Sequence, residues 1–145
     1  MSGFYEPPSA FSSPFRDRLL TPNWELIATA LGRQVPGILR DLYGHPDNVL
    51  RAHFKIERPD GDALRLDLFL PMDQEALHPY DRSLPPGAVA FADDERGDPY
   101  FFAPDDSELG DGPVFVLQRH RGTDVVVPVA PSLSTFLQWP RRHTY

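Results

Sequence analysis

The 145-residue chain contains no cysteine. That excludes disulfides, thiolate metal ligands and a cysteine nucleophile, and it fits a reducing cytoplasm. Lysine is nearly absent as well: Lys55 is the only one, and arginine supplies the remaining positive charge. No run approaches the roughly 20 apolar residues of a membrane span. The N-terminus lacks the basic-then-apolar order of a secretory leader. No Gly-x-Ser-x-Gly elbow, Walker loop or dinucleotide fingerprint can be written on these residues, which excludes the common nucleophile and phosphate-loop chemistries at motif level. The five histidines, His45, His53, His78, His120 and His143, never stand three or four apart, so the helical spacing of many metal sites is missing too.

Acid is what the chain has in excess. The net charge is −7, and it is unevenly spread. Residues 59–112 carry 14 acids against 3 bases. Nucleic acid binding needs a field of the opposite sign, so nucleic acid is not an expected partner. An acidic field speeds encounter with a basic protein surface. The same acids also keep a protein soluble.

A chain of this length is expected to form one domain and to bury roughly 70% of its unfolded surface. Residues 1–20 show no period and read as an irregular arm; residues 21–145 read as the folded domain. Thr21-Pro22 reads as a cap and first helical position. Trp24, Ile27, Ala28 and Leu31 then fall at helical spacing before Gly32. A second helix is expected between Pro36 and Gly44, with His45-Pro46 barring extension.

Residues 49–56 switch to alternation, and so do residues 64–70. The Pro59-Asp60-Gly61-Asp62 turn joins them into a hairpin. On its outer face Arg51 and Lys55 are available to pair with Asp67. Residues 71–86 are proline-rich and read as a loop with at most one helical turn, near 73–77. A central hairpin follows at residues 89–102. Asp93, Asp94 and Glu95 cannot be buried together cheaply, so they mark its tip, and Gly97 closes the reversal. Residues 105–112 form a second acidic loop. Residues 114–117 and 125–129 read as the last strands, and Ser132 as the cap of a closing helix. Trp24, Trp139 and the phenylalanines are expected in the core.

Several phrases of this chain resemble those of the SMI1/KNR4 (SUKH) family. They are Ala30-Leu31-Gly32-Arg33-Gln34-Val35-Pro36 before the second helix, Val89-Ala90-Phe91-Ala92 with Gly97-Asp98-Pro99-Tyr100, Gly112-Pro113-Val114-Phe115, and Ala130-Pro131-Ser132-Leu133 through Phe136-Leu137. Their order covers about residues 24–137. Where the family commonly has a glycine pair after the second helix, this chain reads Tyr43-Gly44-His45-Pro46. The resemblance implies a single α+β domain: a mostly antiparallel sheet of five or six strands with helices at the start and the C-terminal end. It also implies a bacterial immunity protein that binds and neutralises a toxin, often a nuclease, and it carries over no catalytic residues and no cofactor.

The resulting expectation is a non-catalytic, cytoplasmic binding protein whose partner is a cognate toxin with a basic surface. Its docking residues are expected to be Asp93, Asp94, Glu95, Asp98, Tyr100, Asp105 and Asp106. Two further readings stay open: a regulatory scaffold domain with another partner, and an enzyme holding a divalent cation in the acidic turn. Against the second, the acids are contiguous, Arg96 intrudes and the flanks read as strands, unlike a calcium-binding loop. A small-ligand pocket on the sheet stays open too.

Overall fold

The computed structural model describes residues 13–50, 52–61, 63–80, 83–120 and 123–143. Six of the strands run as one antiparallel meander: β1 (Ala52–Glu57), β2 (Ala63–Phe69), β3 (Val89–Asp93), β4 (Pro99–Phe102), β5 (Val114–His120) and β6 (Thr123–Ala130). A seventh, β7 (Arg141–His143), returns to pair with β1, giving the order β6-β5-β4-β3-β2-β1-β7. The expected α+β class holds, with one more strand than the sequence reading allowed for.

Five helices pack on one face of this sheet. These are α1 (Ser13–Leu20), α2 (Trp24–Leu31), α3 (Gly37–Tyr43), α4 (Pro46–Val49) and α6 (Leu133–Gln138). Leu19, Ile27, Leu39, Leu42, Val49, Leu133 and Phe136 bring apolar side chains down onto Phe54, Leu66, Phe69, Phe91 and Phe102 of the strands. Trp24 and Trp139 edge that core half-buried. The opposite face carries a smaller cluster of Leu70, Ala90, Phe101 and Leu117. The segment holding α5 (Gln74–Leu77) and a 3-10 turn (His78–Tyr80) covers it with Leu77, Tyr80 and Leu84.

The caps explain most boundaries. Asn23, not Thr21, caps α2 by accepting a bond from the Leu26 amide at 3.0 Å, while Thr21 donates to the Asp17 carbonyl. Gly32 ends α2 in the left-handed region at φ 66°, where a side chain is disfavoured. Ser132 accepts from the Thr135 amide and starts α6 as its sequence predicts. Pro46 does more than stop α3. Lacking an N–H that would need a partner, it opens the one-turn helix α4, so β1 begins at Ala52 rather than at residue 49.

Within the arm expected to be irregular, residues 13–20 form α1. Leu19 is fully buried, and Arg18 pairs with Asp73 at 2.8 Å and Glu75 at 2.6 Å, tying α1 to the cap of α5. Residues 1–12 and the side chains of Arg51, Asp62, His120 and His143 lie outside the described residues.

Candidate functional site

A meander places alternate connections at opposite ends of the sheet. The β1–β2, β3–β4 and β5–β6 turns share one end; the 70–88 and 103–113 connections share the other. The acidic block, continuous in sequence, is therefore divided. Asp94 and Glu95 sit at the first end. Asp105 and Asp106 sit at the second, roughly 17 Å away along β4.

At the β3–β4 tip, Asp94 is half-buried and shapes its own turn. Its Oδ1 accepts from the Arg96 amide at 2.9 Å and the Asp98 amide at 3.0 Å. Gly97 takes φ 80°, as the reversal requires. Glu95 is exposed with its carboxylate in water. Two expected docking residues face inward. Asp98 is 4% exposed, and its carboxylate accepts from the Arg119 amide of β5 at 3.3 Å, joining the turn to the next strand pair. Tyr100, also 4% exposed, lies on the helix side with its ring 6.0 Å from that of Phe136. Burial pushes its hydroxyl up to about 12. Neither side chain is at the surface: Tyr100 lies on β4, which is buried along its whole length, and Asp98 is buried just before it against β5.

Asp105 and Asp106 are exposed. Asp105 accepts from the amide and hydroxyl of Ser107, and the hydroxyl bond holds its carboxyl below the usual carboxylate range. Arg33 donates to the Asp105 and Ser107 carbonyls, and the Gly37 and Ile38 amides bond to Glu108 and Leu109, so this loop is fastened to the α2–α3 junction.

Asp93 is the unexpected member. Its side chain is largely buried on the face away from the helices, and its Oδ1 is sealed from water without a hydrogen-bond partner among the described residues. Burial first, then the negative charges of Asp67 and Asp94, push its carboxyl up to about 7. Asp67 is not paired with Lys55 as expected. The His53 Nδ1 lies 2.6 Å from its Oδ1, and His53 adopts a left-handed φ of 53° within β1. Lys55 stands opposite Arg65 instead.

A raised acid binds its proton more tightly in the folded chain than in the unfolded one. Stability therefore falls as pH rises from about 4 to about 7, and the penalty is complete above pH 7. Asp93→Asn keeps the shape and removes the charge. It is expected to stabilise the protein by roughly 2 kcal/mol at pH 8, after allowing for partial solvent screening, and by little at pH 4. Urea unfolding at the two pH values checks this.

Beside the 3-10 turn, a cleft of about 470 Å³ opens between α2 and residues 77–88. Its walls are mainly apolar, with Leu26, Ala30, Leu77 and Leu84, and Gln74, His78 and Tyr80 supply polar edges. Among the described residues no group of three His, Asp or Glu side chains is placed to hold a metal ion. No helix among them is long and apolar enough to cross a membrane.

A helix-covered antiparallel meander with its closing helix at Ser132 is the architecture implied by the sequence phrases. The profile of the SMI1 / KNR4 family (SUKH-1) matches residues 23–139, and the chain belongs to that family. Comparison with curated proteins and with solved structures returns no match. The matched span contains every strand except β7, and it leaves α1 outside. It is a family known for toxin immunity.

Proposed function

We propose that the protein is a non-catalytic immunity protein that neutralises a cognate toxin by binding it. Family membership across residues 23–139 is the observation that carries this reading. The exposed turn at Asp94-Glu95 supplies the contact surface. It lies on a short hairpin between the longer β1–β2 and β5–β6 hairpins, and its backbone is held by the Asp94 carboxylate itself. A rigid, anionic turn suits contact with a basic surface, where arginine or lysine would meet Glu95 and the second carboxylate oxygen of Asp94. Asp105 and Asp106, at the far end of β4, form a separate patch and steer a basic partner at long range rather than contacting the same surface. Asp98 and Tyr100 act by holding the turn in place.

Co-expression with the toxin encoded beside this gene is the test in cells. The protein is expected to restore growth, and the Asp94→Lys, Glu95→Lys double variant to lose protection. Equal killing with and without the wild-type protein removes the reading.

A further inference from the structure

On the helix-free face, the ladder sets three cations side by side. Arg142 of β7 lies opposite Lys55 of β1, and Lys55 lies opposite Arg65 of β2. Their neighbours Phe54 and Ile56 are buried under the helices, so strand alternation turns Lys55 and its cross-strand partners to the other side. Antiparallel partners stand about 5 Å apart, and the row spans roughly 10 Å. Like charges directly opposite destabilise a sheet.

Nearby acids relieve the row at its Arg142 end only. Glu57 pairs with Arg142 at 2.9 Å, and Asp67 with His53 at 2.6 Å. Among the described residues no ion pair reaches Lys55 or Arg65. Arg65 is exposed, and the Arg142 side chain is 72% exposed. The only lysine of an acidic chain thus sits between two arginines on an open surface.

We propose that Arg142, Lys55 and Arg65 bind the polyphosphate group of a small phosphorylated molecule. Guanidinium forks match phosphate oxygens in pairs, and a central ammonium adds a point charge. A compact oligophosphate fits within the row's length, and the acids beside it, Glu57 and Asp67, are engaged by Arg142 and His53. Two larger anions fit worse. A nucleic acid strand would extend into the field of a chain whose net charge is −7, and beside the row the same face offers Glu57, Ala63, His53 and Asp67 rather than rings for base stacking. An acidic protein segment would find no apolar anchor there. This site does not use the toxin-docking residues: it stands on β7, β1 and β2, at the same end of the sheet as the Asp94-Glu95 turn.

Calorimetric titration of the full chain with inorganic triphosphate at about 50 mM salt tests it. Saturable binding in the range of tens to hundreds of micromolar is expected, weakening as salt rises. Lys55→Gln and Arg65→Gln should each weaken it about tenfold, the loss of one charge-assisted contact. Both variants should melt at or above the wild-type temperature, because each removes a repulsion, while Glu108→Gln, at the opposite end of the sheet, binds triphosphate as the wild type does. No saturable heat would overturn the proposal. So would undiminished binding by either row variant, or tighter binding of a single-stranded oligonucleotide or a polyglutamate peptide than of triphosphate.

Discussion

Phe91→Ala is expected to lower the stability by about 4 kcal/mol. Phe91 is fully buried at the centre of β3, in the core between the sheet and the helices. Its ring centroid lies 6.5 Å from that of Phe69 on β2, 6.1 Å from Phe102 on β4 and 5.6 Å from Phe136 on α6. Truncation removes these contacts together and leaves a void lined by rings on three separate elements, which cannot all move inward at once. The backbone adds to the cost of any shift: the Phe91 carbonyl accepts from the Leu70 amide at 2.9 Å and the Tyr43 hydroxyl at 3.2 Å. Equilibrium urea unfolding gives the number. A loss under about 1 kcal/mol would mean that the cluster does not hold the helix layer to the sheet.

Gly112→Ala is expected to cost about 3 kcal/mol or more, for a different reason. A Cβ at this position would stand 1.8 Å from the Ala103 carbonyl oxygen and 2.8 Å from its carbon. Both are backbone atoms, so no rotamer change relieves the clash. The two chain segments are also bonded to their surroundings. The Ala103 amide donates to the Pro113 carbonyl at 3.1 Å, and the Gly112 carbonyl accepts from the Leu133 amide at 2.8 Å. Separating residues 103 and 112 would strain the β4–β5 ladder and the start of α6 together. Gly61 provides the control. It has φ 96° but nothing within 4 Å of an added Cβ, so Gly61→Ala should cost only the conformational strain of about 1–2 kcal/mol. Thermal melting of both variants separates close approach from backbone preference; equal losses would contradict this account of Gly112.

The features visible in the sequence were those set by local chemistry. Alternation around Asp60-Gly61 located β1 and β2, Ser132 located α6 through its cap, and Gly97 located the β3–β4 reversal. What was hidden depends on partners far along the chain. Asp98 belongs to a run of acids that reads as solvated, yet its carboxylate serves the Arg119 amide, 21 residues away. Tyr100 reads as an accessible anchor until the sheet shows that both faces of β4 are covered. β7 offers three polar residues and no alternation. Its place at the margin is secured instead by pairing with β1 and by Arg141, whose guanidinium lies 5.8 Å from the Phe54 ring and 5.7 Å from the Phe69 ring. The acidic block looked like one surface because it is contiguous. Meander topology sends its halves to opposite ends, which the composition alone does not reveal.

The Asp94-Glu95 turn can be tested without disturbing the fold, since Asp94→Asn retains the acceptor that closes the turn and Glu95→Gln alters an exposed side chain. The decisive measurement is the affinity of purified wild-type protein and of this double variant for the toxin encoded beside the gene. The wild type should bind in a salt-dependent manner, and the variant at least about tenfold more weakly with an unchanged melting temperature. Equal affinity of the two proteins would contradict a docking role for the acidic turn.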